Sequence, residues 1–247
     1  MPEILLTPWG SIGVAVLLTI LLFVESRLVP WAPFFLVFAA LVPAVPLAAG
    51  GWSLGDPAAL LRGHGADILV LGGALLFWEI IAATILHERV VLRAFGRHDD
   101  ARWNPTLALL ALTEKAGRRA RFGPAGSAAA FGAYTLLWAP VAEELFYWGY
   151  LYGNLHEGWG PGAATVLTAG LFGVRHFAHF LFARGSPPWP AATWLVAATA
   201  ATGILNSLLY ERVGALGPLI LLHLLANLLS AVWAAWAARG PRGKSPP

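Results

Sequence analysis

Apolar runs of helical length succeed one another along most of the chain, at 4–24, 28–50, 68–86, 125–155, 163–183, 191–209 and 215–238. A helix needs roughly 20 apolar residues to cross a bilayer. The pattern therefore predicts an all-α, polytopic transmembrane helix bundle of seven spans, or eight if one pair is a re-entrant hairpin. Prolines 30, 33, 43 and 46 make the second run irregular, and a Glu pair at 143 and 144 breaks the fourth. The first run has no basic residue ahead of it and no small-residue cleavage site after it, so it is read as a retained span and not a signal peptide. In "NPTLALLALTEKAGRRARF", residues 104–122, Pro105 follows Asn104 at a first helical position and opens an expected interfacial helix. No repeat of solenoid length and no second domain is visible. The chain 1–247 reads as a single integral-membrane domain, in which 1–124 carries the first spans and a basic loop and 125–232 the core helices around a central polar cavity.

Composition sharpens this picture. Of 247 residues 58% are apolar and 12% charged, about half the charged share usual in a soluble protein. There is no cysteine, which excludes disulfides, thiolate metal sites and cysteine nucleophiles. With the amino terminus outside, 13 of the 16 basic residues fall in cytoplasmic segments, against Arg62 and Arg212 outside and Arg175 within a span. That is the bias of the positive-inside rule, and it sets the carboxy terminus in the cytoplasm. The basic loop at 88–124 then faces anionic headgroups of the lipid bilayer, and nucleic-acid binding is not expected. Trp9, Trp31, Trp189 and Trp194 lie near span ends as interfacial anchors. Gly10, Gly13, Gly72, Gly73 and Gly170 are expected to permit close helix approach. Heavy use of Ala, Gly, Arg and Pro points to a bacterial protein, hence to a cytoplasmic membrane.

An ionisable side chain at membrane depth marks a functional site by default, because it is costly unless paired or hydrated. The spans hold Glu79, Glu143, Glu144, Arg175, His176, His179 and His223, with Asn206 and Asn227 as neutral companions. His223 and Asn227 are four apart, and His176 and His179 three apart, so each pair shares a helix face. Glu143 and Glu144 are about 100° apart around their helix and cannot aim at one centre. The expected centre is one Glu, one His of the fifth span and the His–Asn pair of the seventh. A carboxylate and an imidazole can share a water and deprotonate it, while an imidazole N–H and an amide can hold an oxyanion. The set suits amide hydrolysis without a covalent intermediate; Ser207 and Ser230 lie away from these motifs. Two other readings stay open: a non-enzymatic transporter or immunity-type binding protein, and a metalloprotease with His176, His179, His223 and Glu143 as ligands. "HERVV" at 87–91 begins like a zinc motif but has Val91 where the second His belongs.

Three short motifs carry a resemblance. "EELFYWG" resembles the EExxxR motif of the CPBP family, the CAAX proteases and bacteriocin-processing enzymes also called Abi; "FGVRH", from Phe172 to His176, resembles its FxxxH and "HLLAN", from His223 to Asn227, its HxxxN. The likeness covers about residues 125–232. It implies a glutamate-dependent intramembrane endopeptidase without a cofactor, acting on a protein or peptide substrate processed at the membrane. Glu143 and His176 would activate water, His223 and Asn227 would form the oxyanion hole, and Glu144 would support them; Phe172 opens the second motif, and Arg175, which the motif does not require, and His179 are expected to lend further support beside it. One departure matters: the motif arginine falls on Trp148. Arg175 is expected to take over its role toward Glu144 or Glu79.

Overall fold

A computed structural model describes residues 3–28, 37–81, 126, 129, 132–177 and 189–237. Every regular element among them is helical, with no strand among the described residues. The loop at 88–124, its expected interfacial helix and the "HERVV" stretch lie outside them.

After a single turn at Glu3–Leu6, helix α1 runs over Pro8–Leu28. Wide i→i+5 turns at Val37–Leu41 lead into the short α2, Val42–Ala49, which closes at Gly50 with a φ of 71°. This is the proline-interrupted run, and it is irregular as expected. Helix α3, Pro57–Phe77, continues to Ile81 and starts eleven residues before the apolar run at 68. The reason is its cap. Asp56 accepts from the backbone N–H of Ala58 and Ala59 at 2.8 and 3.0 Å, and Pro57 takes the first helical position. That start draws the polar stretch around Arg62 and Asp67 into the helix, across a kink at His64.

Helix α4 is the unbroken run 133–159, and α5 is 161–176. Pro140 cannot donate to the fourth residue before it, and the turns just ahead, Ala133–Trp138, are widened to i→i+5. Gly160, with a φ of 82°, makes the break, and Pro161 opens α5. Helix α6 is Trp189–Val213 and α7 is Leu216–Ala237. Two of the N–H groups at the start of α7 that lack a partner within the helix are satisfied from the loop before α3: Leu216 donates to the Ser53 carbonyl at 2.8 Å, and Gly217 to that of Leu54 at 3.1 Å.

Helix α4 is apolar and aromatic all round, which suits a helix enclosed by others. Phe146, Tyr147, Trp148, Tyr150, Leu151 and Tyr152 are all buried, against α1, α2 and α5 to α7. The outer faces are apolar too: Leu69, Phe77, Val166 and Leu221 are each more than 60% exposed, as a lipid environment allows. Among the described residues three helices are long and apolar enough to cross a membrane, Pro8–Glu25, Pro57–Ile81 and Ala192–Val213, with the shorter apolar Ala39–Ala49 and Leu216–Val232 beside them.

Close approach falls on other glycines than most of those expected. Gly13, Gly73 and Gly170 face open space, whereas a Cβ on Gly72 would meet Leu222 at 2.9 Å. The tight crossing is α5 on α6: a Cβ on Gly173 would lie 2.6 Å from the Val196 carbonyl oxygen, and one on Gly203 2.8 Å from the Ala169 Cα. Backbone cannot yield as a flexible side chain would. Gly173→Ala should therefore cost about 1–3 kcal/mol through overpacking, seen as a lower unfolding temperature in detergent, while Gly170→Ala should leave that temperature unchanged or raise it.

Candidate active site

The two adjacent acids of α4 part company. Glu143 turns toward α5, where its Oε1 lies 2.7 Å from Arg175 Nη2. Glu144 turns toward α7, where its Oε1 accepts from His223 Nδ1 at 2.8 Å. Asn206 of α6 donates to the same oxygen at 3.3 Å. Glu143, Glu144, Arg175 and Asn206 are all buried. Each acid thus has a partner from a different helix, as the angle between neighbouring helical positions requires. Among the described residues, Glu143 Oε2 and Glu144 Oε2 accept no hydrogen bond from protein.

His176 is fixed at both nitrogens. Its Nδ1 lies 2.8 Å from the Phe172 carbonyl oxygen and its Nε2 3.2 Å from Arg175 Nη2. A carbonyl only accepts and a guanidinium only donates, so Nδ1 carries the hydrogen and Nε2 presents its lone pair. One guanidinium nitrogen therefore stands between Glu143 and His176. The Phe172 ring supports both sides, packing on His176 at 4.7 Å between centroids and under the Arg175 guanidinium at 5.7 Å. Asn227 is half-buried one turn beyond His223 on α7.

These positions correct one expectation and leave another open. Arg175 pairs with Glu143, not with Glu144 or Glu79, because α5 approaches the side of α4 that Glu143 faces. His179 lies outside the described residues. Glu79, near the end of α3, accepts from the Thr202 hydroxyl of α6, and its neighbour Trp78 donates to the Ala198 carbonyl at 3.0 Å. No group of three or more His, Asp or Glu side chains converges in a way that could hold a metal among the described residues.

Three residues make contacts that the sequence pattern does not indicate. Asn206, a neutral companion in the sequence, sits on Glu144; its signal is the four-residue spacing from Thr202, which gives one face of α6 to two carboxylates. Ser207, set apart from the motifs by sequence, accepts from the Trp148 indole N–H at 3.1 Å. Glu25, just past the first apolar run, is buried and accepts from the Val37 backbone N–H at 3.0 Å. Val37 in turn lines a small, mostly apolar cleft that ends on Tyr147 and Arg175. A carboxylate at a span end looks like a solvated terminus, so nothing in the pattern singles Glu25 out.

An apolar helical fold that encloses two acids, two histidines and their amide partners describes a membrane protein built around an ionisable centre. Residues 125–229 match the family model described as Type II CAAX prenyl endopeptidase Rce1-like. No curated protein and no solved structure matches the chain. The chain thus carries an Rce1-like domain of the CPBP family, a family of CAAX-type intramembrane proteases, and all the motif residues fall inside it.

The indole of Trp148 is fully buried, so Ser207→Ala should leave its N–H unpaired, at a cost of about 1–3 kcal/mol. Trp148→Phe in the Ser207→Ala background should then lose less than Trp148→Phe alone, a coupling that thermal unfolding of the four proteins would measure.

Proposed function

We propose that the protein is a glutamate-dependent intramembrane endopeptidase that hydrolyses a peptide bond in a membrane-associated or lipidated protein or peptide. The observation that carries this is the division of the acid pair: Glu143 with His176 on one side, linked through Arg175, and Glu144 with His223 on the other. The family match over 125–229 supports the same reaction class.

In this reading a water lies between the open oxygen of Glu143 and Nε2 of His176. Glu143 takes its proton as the water attacks the scissile carbonyl, and the same proton passes to the leaving amine as the tetrahedral adduct collapses. Because Nδ1 is held by the Phe172 carbonyl, the Nε2 lone pair keeps its direction when a water takes the place of the Arg175 N–H. The developing oxyanion is received by His223 and the Asn227 amide. In its doubly protonated form the His223 ring bonds Glu144 through Nδ1 and offers Nε2–H to the oxyanion. Glu144 therefore acts as an orienting residue, fixing which nitrogen faces substrate, with Asn206 keeping the carboxylate in line.

The wider setting follows the sequence pattern: seven spans in a bacterial cytoplasmic membrane, amino terminus outside and carboxy terminus cytoplasmic. A substrate that already lies in the membrane needs no soluble binding domain, and the exposed apolar faces of α3 and α7 suit such an approach.

The test is cleavage of a panel of membrane-anchored and prenylated peptides by the purified protein, read by mass spectrometry. Glu143→Gln and His176→Ala should each lower the rate by about 10²- to 10⁴-fold, and Asn227→Ala by about 10²- to 10³-fold, with all three folded. Chelators should leave the rate unchanged; cleavage that survives Glu143→Gln or is lost on chelation would overturn the glutamate mechanism.

A further inference from the structure

The resembling motif carries its arginine four residues after the second acid, on the same helix. That place holds Trp148, fully buried, its indole N–H given to Ser207 and its ring edge-on to Phe172 at 5.2 Å. A guanidinium is present nonetheless. Arg62 and Arg212 are exposed, whereas Arg175 is buried with its Nη2 at 2.7 Å from Glu143 and 3.2 Å from His176. Phe172 connects the two arrangements, one ring touching both the Trp148 indole and the Arg175 guanidinium. The α5–α6 crossing at Gly173, two residues before Arg175, is close enough to exclude a Cβ.

We propose that Arg175 is the positioning residue for the water-activating pair, supplying from α5 the guanidinium that the resembling motif carries on α4, with Trp148, Ser207 and Phe172 filling the place this leaves. The proposal rests on the endopeptidase reading for its kinetic arm only. A terminal guanidinium nitrogen has two N–H bonds about 120° apart, so it can hold a carboxylate and an imidazole together without either competing for the same hydrogen. The two contacts differ in strength. The bond to the carboxylate is short and joins opposite charges; the bond to the imidazole is longer and reaches a neutral acceptor. An incoming water therefore replaces the second and leaves the first, entering between His176 Nε2 and the open Glu143 oxygen while Arg175 stays on Glu143. The guanidinium thus keeps the base and the histidine apart by the width of one nitrogen until a water of similar size takes over. A lysine offers a point charge without the planar fork and would keep only part of this geometry.

Two measurements test the placement, one of which needs no activity. In ¹⁵N-histidine NMR of the wild-type protein in detergent, His176 should be the neutral tautomer with hydrogen on Nδ1, and Arg175→Lys should move its Nε2 resonance. A His176 that carries its hydrogen on Nε2, or an Nε2 signal indifferent to Arg175→Lys, would overturn the proposal whether or not the protein cleaves peptides. In the cleavage assay, Arg175→Gln should lower kcat by about 10²-fold with little change in KM, and Arg175→Lys should recover part of the loss. The double change Arg175→Gln with Trp148→Arg should exceed Arg175→Gln alone. Arg175→Gln at close to the wild-type rate, in a protein that Glu143→Gln silences, would overturn the proposal and leave the endopeptidase reading standing. Arg175→Gln as slow as expected, yet helped neither by lysine nor by arginine at 148, would reduce Arg175 to a structural ion pair.

Discussion

Two neighbouring carboxylates inside an apolar helix bundle cannot share a partner. Consecutive side chains on a helix diverge by about 100°, and an unpaired buried charge costs several kcal/mol. From that constraint the arrangement of the core follows. Glu143 draws a cation from α5 and through it a histidine, Glu144 draws a histidine from α7 and an amide from α6, and α4 must lie where all three can reach it. The aromatic sheath of α4 is the complement: with the polar links confined to two directions, every other direction can be filled with Phe, Tyr, Trp and Leu. The site and the core are therefore one structure, since the helix that bears the acids is also the helix most completely enclosed.

The two links differ in character. Glu143 with Arg175 is a buried pair of opposite charges whose stabilisation is opposed by desolvation, and a well-packed apolar substitute could be as stable. Glu144 with His223 and Asn206 is a hydrogen-bonded network in which each member directs the next. It sets the rotation of an imidazole on a helix that is otherwise mostly apolar. One acid is thus bound to a guanidinium and the other to an imidazole and an amide, so a pair that looks redundant in sequence has two different surroundings.

Much of this was legible in the chain. The breaks at Gly160–Pro161 and at Gly214 fell where the apolar runs stop, and α5, α6 and α7 begin and end within a few residues of the runs at 163–183, 191–209 and 215–238, save that residues 178–188 lie outside the described ones. What failed was the start of α3, since a run of hydropathy is blind to an Asp–Pro cap that extends a helix into polar residues. Within the site, the spacing of His223 and Asn227 and the divergence of the acids were readable from helical geometry alone. The partner of Arg175 was not, because which side of α4 meets α5 depends on the glycine crossing of α5 on α6, and Gly173 differs from Gly170 only by facing that contact. Ser207 was passed over for a related reason: its role exists only because a tryptophan stands across from it.

The tether between α7 and the loop ahead of α3 has a mechanical meaning. Leu216 and Gly217 hang from the carbonyls of Ser53 and Leu54, in a stretch outside the matched segment 125–229, and His223 stands seven residues farther along the same rod. A helix suspended by its first turn cannot slide along its axis unless the hook moves with it. The height of the histidine in the bundle is therefore set by a loop remote from it in sequence, and a change in that loop's length would raise or lower the ring by fractions of a turn.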